Sequence, residues 1–245
     1  MSAGLRLGVG VCALNEEASL PRLLARLTEA GEVADRAAHV VVADGGSSDG
    51  TVRVAARFGA AVVPTARGRG VQLAAAAEAL MAWQDAAGQG LDVLIFLHAD
   101  AVPDPGALSA LAARFAAGAE AAGFSQSVEG PGRALRWIER AADARVRRGM
   151  IYGDSGLALT PAAYRRAGGF EPLPLFEDVA LSHALRRAGV RAQLVEGARL
   201  RVSARRWQRE GILRCTLRNW MLRGLYELGV SPLRLARSYR PHSSP

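Results

Sequence analysis

Val40-Val41-Val42-Ala43-Asp44-Gly45-Gly46-Ser47-Ser48-Asp49-Gly50-Thr51 holds the architecture of this chain in miniature. The short, continuously apolar run reads as a strand buried on both faces, as the strands of parallel sheets are. Asp44 closes it, glycine and serine make a tight turn, and Asp49 stands where the cap of a following helix belongs, a helix that ends near Gly59. The same unit recurs on either side. Leu5 to Ala13 is an apolar run followed by Leu20, Leu23, Leu24 and Leu27 at helical spacing behind Ser19. Ala61 to Val63 reads as a third strand with an alanine-rich helix after Gly70, and Val93 to Leu97 as a fourth that stops at His98-Ala99-Asp100. Repeated strand-helix alternation predicts an α/β fold with a largely parallel sheet covered on both faces.

The second half is less regular. It offers a strand near Gly123 to Val128, an Arg-rich helix from Arg133 to Arg148, a small-residue segment around Tyr152-Gly153-Asp154, a helix after Asp178 and an amphipathic helix from Ile212 to Leu228. The closing Pro241-His242-Ser243-Ser244-Pro245 reads as loose.

Composition narrows the function classes. A chain of 245 residues, half of them hydrophobic, can bury a full core and suits one domain with an appendage. The net charge of +8 comes from arginine alone, since lysine is absent, and guanidinium forks suit phosphate groups. From Arg201 onward ten arginines face only Glu210 and Glu227. Cys12 and Cys215 are the only cysteines and lie in no metal-ligand spacing, so neither a disulfide framework nor a zinc site is expected, and a reduced cytoplasm is the simplest compartment. The apolar opening from Leu5 to Leu14 is too short to span a membrane and runs into Asn15-Glu16-Glu17 without a cleavage-site pattern. No transmembrane segment is expected. Nucleic acid is not expected as a partner either, because a 6% aromatic content offers little stacking surface.

In parallel α/β sheets ligands gather beyond the carboxyl ends of the strands, where Asn15, Asp44 and Asp100 all fall. Gly8-Val9-Gly10-Val11-Cys12-Ala13 has the spacing of a dinucleotide fingerprint. Its glycines, however, lie inside the first strand, and Asn15-Glu16-Glu17 stands where the phosphate-binding helix would begin, which argues against a dehydrogenase. Arg67-Gly68-Arg69-Gly70 precedes a helix, where small residues would let backbone amides approach a phosphate, although a solvated basic loop would look the same. Glu177-Asp178 at a helix start is likewise an ordinary complement to the helix dipole when taken alone.

In order, however, Leu14-Asn15-Glu16-Glu17, Asp44 to Thr51, His98-Ala99-Asp100, Tyr152-Gly153-Asp154, Gly168-Gly169-Phe170, Pro174-Leu175-Phe176-Glu177-Asp178 and Arg205-Arg206-Trp207 resemble the family 2 glycosyltransferases over nearly the whole chain. The resemblance implies a GT-A-type, Rossmann-like, mostly parallel sheet with helices on both faces. It places a glycosyltransferase domain over residues 1–203 and an Arg-rich helical C-terminal extension over 204–245 packed on it. It further implies that Asn15 and Glu17 line the nucleotide site, that Asp44 accepts from a uracil N–H, and that Arg69 and His98 border the donor. Asp100 would hold Mg2+ or Mn2+, because His98 replaces the first carboxylate of the family's Asp-x-Asp pair. A divalent cation neutralises a departing nucleoside diphosphate with one or two carboxylates and the phosphate oxygens. Asp178 matches the family's catalytic base and Glu177 its partner.

The His-Ala-Asp, Tyr-Gly-Asp and Arg-Arg-Trp versions resemble a selenium-associated branch that includes the selenosugar synthases of selenoneine biosynthesis. That branch joins a UDP-sugar to selenophosphate through a carbon–selenium bond. The implied substrates are UDP-glucose or UDP-N-acetylglucosamine and selenophosphate, the latter held by Arg147, Arg148, Asp154, Arg205, Arg206 and Trp207, with Arg145 among the same arginines. Two alternatives stand beside it: an ordinary O-glycosyltransferase acting on a small or lipid-linked acceptor, and an inactive basic binding protein, which the retained Asp44, Asp100, Glu177 and Asp178 argue against. In the C-terminal helix Leu213, Leu217, Trp220, Met221, Leu225 and Leu228 share a face away from Arg214, Arg218 and Arg223. That face is expected to pack on the catalytic domain or on a dimer partner, in a monomer or homodimer with only weak association with membrane surfaces.

Overall fold

The computed structural model describes residues 4–28, 39–84 and 87–238, so the closing stretch 241–245 lies outside the described residues. In chain order the first half runs β1 (Leu7–Ala13), α1 (Leu20–Thr28), β2 (His39–Asp44), α2 (Thr51–Arg57), β3 (Ala61–Pro64), α3 (Arg69–Ala82) and β4 (Val93–His98). The second runs β5 (Ala101–Pro103), α4 (Ala107–Ala116), β6 (Ala121–Val128), α5 (Arg133–Arg147), a 3-10 turn (Gly153–Ser155), β7 (Leu157–Leu159), α6 (Pro161–Arg166), α7 (Glu177–Arg187) and β8 (Gln193–Val202). The chain then continues as α8 (Arg205–Glu210), α9 (Ile212–Glu227) and α10 (Pro232–Ser238).

One sheet carries the strand order β3-β2-β1-β4-β7-β6-β8-β5. β3, β2, β1 and β4 are all parallel to their neighbours, as expected for apolar strands linked by crossover helices. Beyond β4 the sheet turns mixed: β7 runs against β4 and β6, β8 runs with β6, and β5 runs against β8. The three-residue strands β5 and β7 have no counterpart in the sequence reading, because segments that short carry no periodicity. Register aligns the predicted strand ends, with Ala13 opposite Asp44 and Cys12 opposite His98.

Each face of the sheet has its own core. Leu20, Leu23, Leu24 and Leu27 of α1 cover Val9 and Val11 on one side, and Leu73, Ala76, Ala77 and Leu80 of α3 cover Leu94 and Phe96 on the other. Gly8 and Gly10 belong to this second packing. A Cβ on Gly8 would lie 2.2 Å from Leu91 Cδ1 and one on Gly10 3.0 Å from Ala76 Cβ, so close helix and loop packing accounts for the glycine spacing. Among the described residues no helix is long and apolar enough to cross a membrane.

Gln72 is a buried polar residue in the helix that covers this side. Its Nε2 donates to the carbonyls of Ala13 (2.7 Å) and Ala43 (2.9 Å), the last turns of β1 and β2 before their loops diverge. Replacing Gln72 with Leu leaves these carbonyls without that donor in an apolar layer and should destabilise the protein by about 1–3 kcal/mol, read as a lower urea midpoint at unchanged slope.

Candidate functional site

The ends of β1 and β2 are knitted together by the residues predicted to hold a nucleotide. The Asn15 amide donates to Ser47 Oγ (2.9 Å), and its side-chain Oδ1 accepts from the Ser48 amide (2.9 Å). Glu17 Oε2 accepts from the Gly50 amide (2.9 Å), while the Glu17 amide donates to Asp49 Oδ2 (3.1 Å). Asp44 is buried, and its Oδ2 accepts from the amides of Gly46 (3.1 Å) and Ser47 (3.0 Å), with Ser47 Oγ donating to the other oxygen. Asp49, one residue before the cap position that Gly50 occupies, also accepts from the Thr51 amide at the start of α2 (2.9 Å). These carboxylates and amides set the shape of a rigid double loop.

A cleft of about 600 Å³ opens beside it. Arg69, His98, Asp100, Asp154, Asp178 and Trp207 line it, so the structure gathers six of the predicted site residues around one space. Buried Gly153 joins two of these residues behind the cleft wall. The Gly153 amide donates to Asp178 Oδ2 (2.9 Å), and a Cβ there would sit 2.5 Å from His98 Nε2 and 3.3 Å from Asp178 Oδ2. Asp178 Oδ1 accepts from the Val179 amide (2.8 Å), which fixes the carboxylate at the head of α7. His98 Nδ1 lies 3.5 Å from the sulfur of buried Cys12. Burial and then Arg69 push the imidazole below its ordinary range, against the pull of Asp100, Asp178 and Asp154, so His98 is neutral at pH 7. Burial pushes the Cys12 thiol up to about 12.

On either side of Gly153, Tyr152 and Asp154 are held by arginines from two directions. Arg145 of α5 pairs with Asp154 and lies 4.2 Å over the Tyr152 ring. Arg223 of α9 lies 4.7 Å from the same ring centre and donates to its hydroxyl, with Glu227 anchoring the guanidinium (Nε to Oε1, 2.7 Å). Stacked guanidinium groups are attracted by the ring's negative face.

Glu177 is completely buried beneath the cleft and paired with Arg69, Nε to Oε1 at 3.0 Å and Nη2 to Oε2 at 3.3 Å. Burial raises its carboxyl to about 7, with Arg69 opposing and neighbouring Asp178 reinforcing the shift. Gly70 has a packing role of its own: a Cβ there would meet the backbone of Glu171 and Leu173 at 2.4–2.7 Å, so this glycine seats the loop before α7. Phe176 adopts a left-handed backbone (φ 65) immediately before Glu177, and Asn15 does so (φ 55) in the double loop. These are the non-glycine residues with positive φ among the described residues. Strain of this kind persists where surrounding contacts impose it.

Other predicted residues lie elsewhere. Arg147 pairs with Glu196 on the surface and Arg148, just past the end of α5, is exposed; neither lines the cleft. Arg205 donates to Ser19 Oγ (3.3 Å), bridging the extension to the start of α1. The Arg206 side chain lies outside the described residues. Sequence reasoning missed Arg223 and the aromatic pair Trp137 and Trp220, whose rings meet at 5.4 Å. A usable signal existed: only four tryptophans occur, and Trp137, Trp207 and Trp220 all line the cleft from Arg-rich helices.

A divalent cation fits this site only in a particular way. Among the described residues no three His, Cys, Asp or Glu side chains gather into a group that could hold one. Asp100 is exposed at the strand end and lines the cleft, which matches magnesium or manganese bound through one carboxylate plus phosphate and water oxygens.

Comparisons with known proteins agree with this geometry. Residues 9–167 match the family model described as Glycosyl transferase family 2. No curated protein sequence matches the chain. Among solved structures, Staphylococcus aureus TarS superposes with a TM-score of 0.64 at 14% identity over 81% of this chain, which spans only 37% of that protein's length. A shorter form of TarS, solved with UDP-GlcNAc, gives 0.61 at 14% identity over 81% of this chain and 58% of its own. Mycobacterium tuberculosis glucosyl-3-phosphoglycerate synthase, solved with Mn2+, UDP and glucosyl-3-phosphoglycerate, gives 0.55 at 20% identity over 82% of this chain and 71% of its own. At these identities the likeness is one of fold, and it is the GT-A fold.

Glu177 should leave a pH signature. In the unfolded chain it ionises near 4.5, in the fold near 7, so between these values the fold holds a proton the unfolded chain has released. Its contribution is complete below 4.5 and lost as pH rises through 7. Urea unfolding across that window should show stability falling with pH in the wild type and a flatter profile in Glu177→Gln.

Proposed function

We propose, for a chain that belongs to glycosyl transferase family 2, that it transfers a sugar from a UDP-sugar to a hydroxyl-bearing acceptor with Asp178 as the base. The observation that carries this reading is the position of Asp178: fixed by the Gly153 amide, facing the cleft that also holds Asp100, at the mouth of the parallel strands. The neighbours solved with UDP or UDP-GlcNAc support the choice of donor.

In this reading the double loop of Asn15, Glu17 and Asp44 cradles the uridine. Asp44 is preorganised by two backbone amides and the Ser47 hydroxyl and retains one lone pair, on Oδ1, that a uracil N–H can use. His98, neutral and wedged between Cys12 and Gly153, forms the floor between nucleotide and sugar. Arg69, tethered to Glu177, offers positive charge to the diphosphate side. A cation bound through Asp100 would supply charge neutralisation for the departing diphosphate. The acceptor oxygen attacks the anomeric carbon as the bond to the UDP oxygen breaks, and its proton passes to the Asp178 carboxylate. Trp207 and the other aromatics exclude water, which otherwise competes as acceptor. Residues 1–203 carry these groups except Trp207 and Trp220, which the extension from 204 onward adds.

The selenophosphate acceptor implied by the sequence resemblance calls for an open cationic seat. Arg145 is engaged by Asp154 and Tyr152, and Arg223 by Glu227 and Tyr152, while Arg147 pairs with Glu196 and Arg148 does not line the cleft. With Asp100, Asp154 and Asp178 facing these arginines, the cleft is closer to charge balance than to an anion trap, and a hydroxyl acceptor suits it better.

Purified protein given UDP-glucose or UDP-N-acetylglucosamine and a panel of alcohol acceptors, with a parallel arm of selenophosphate, tests the reading by mass spectrometry. Asp178→Asn should lower transfer to alcohols by about 10²–10⁴-fold with UDP affinity unchanged. Transfer only to selenophosphate, undiminished in Asp178→Asn, would sink it. The cation has its own test: Mn2+ followed by electron paramagnetic resonance should bind weakly to the protein alone, bind tightly when UDP is added, and lose that gain in Asp100→Ala.

A further inference from the structure

Most of the apolar face of α9 is left exposed rather than packed on the catalytic domain. Cys215 and Leu222 are the residues α9 buries, with Leu222 meeting Leu175 and Leu235 of α10. Leu213, Leu217, Trp220 and Met221 instead form a stripe at spacings of four, three and one residues, and Leu228 and Leu233 continue it toward and into α10. Each of these is more than half exposed, as is Trp137 of α5, whose ring meets Trp220. Of the face expected to pack or dimerise, Leu225 is partly buried beside Leu175 and Trp220 touches Trp137, while Leu213, Leu217, Met221 and Leu228 stay outward because Cys215, Leu222 and Tyr226 take the inward side.

The surroundings of the stripe say what covers it. From Arg205 to Ser238 the sequence has eight arginines and two acids, and the structure pairs those acids, Glu210 with Arg218 and Glu227 with Arg223. Arg209, Arg214, Arg234 and Arg237 are exposed on the same helices, and Arg133 and Arg140 flank Trp137 one turn to either side. A ridge of leucine, methionine and tryptophan inside a ring of arginine matches a bilayer boundary, where acyl chains take the apolar side chains, indole sits at headgroup depth and guanidinium meets phosphate. A second copy of this chain fits less well, because a two-fold interface would set the same arginines against one another. Single-stranded nucleic acid would find few bases' worth of stacking surface on aliphatic side chains.

We infer that α9, α10 and the Trp137 turn of α5 form a docking surface for an anionic lipid bilayer. The surface adjoins the active cleft, since Trp137 and Trp220 line both, so docking sets the cleft mouth at the lipid headgroups. This inference stands apart from the sugar-transfer reading, and its test involves no turnover.

Full-length protein is sedimented with vesicles of phosphatidylcholine alone or of phosphatidylcholine containing phosphatidylglycerol, at about 0.15 M salt. Saturable binding to the anionic vesicles is expected, with little to the neutral ones. The triple variant Leu213→Ser/Leu217→Ser/Met221→Ser changes only exposed side chains outside the cleft, and should bind anionic vesicles at least about tenfold more weakly, given about 0.8 kcal/mol per buried CH2. Its thermal midpoint is measured alongside to establish folding, and Arg234→Gln/Arg237→Gln should weaken binding independently. Failure of the wild type to bind anionic vesicles, or equal binding by the triple variant, overturns the proposal. So does a wild-type dimer in sedimentation velocity that the triple variant converts to monomer, which would assign the stripe to a second copy.

Discussion

The hydrogen bond from the Gly153 amide to Asp178 holds the cleft together. It joins a tight turn from the middle of the chain to the head of α7, while the missing side chain of Gly153 admits His98 from the end of β4. Three elements distant in sequence therefore meet at a single backbone unit. Any Cβ at that position would press on the imidazole or the carboxylate, so the geometry around Asp178 depends on a residue that contributes no functional group.

Around that unit the charges are arranged in pairs. Arg69 answers Glu177, Arg145 answers Asp154, and Arg223 answers Glu227 while sharing the Tyr152 ring with Arg145. Burial raises the Tyr152 hydroxyl, with the two arginines opposing. A flat, delocalised guanidinium can stack on an aromatic face and bond at its edge in the same pose, which a lysine ammonium cannot do. The exclusive use of arginine thus has structural consequences here, whatever its origin in codon usage. It also ties α9 to the cleft, since Arg223 reaches Tyr152 from the C-terminal extension.

The double loop and the cleft differ in how they are built. Asn15, Glu17, Asp44 and Asp49 spend their polar atoms on the loops that present them, which makes that side preformed. On the cleft side aromatic rings from α5, α8 and α9 form walls with their outer faces in solvent. A hydrogen-bonded double loop thus stands beside a wall that runs into an exposed apolar ridge.

The sequence by itself determined the parallel half of the sheet and the ends at which function collects. Val40 to Asp44, Leu7 to Ala13 and Val93 to His98 are apolar runs closed by polar residues, and that pattern has only one economical arrangement, with strands buried on both faces. The resemblance to family 2 glycosyltransferases also marked Asp100, Asp154, Asp178 and Trp207, which the structure brings to one cleft. Tertiary structure alone decided that Arg145 and Arg223 face the cleft while Arg147 and Arg148 do not, that Gly70 seats a loop, and that the leucine stripe of α9 faces outward. The reason is physical: a sequence pattern tells which residues share a helix face, but the rotation of that helix is set by the neighbour it packs against, and the neighbour is distant in the chain.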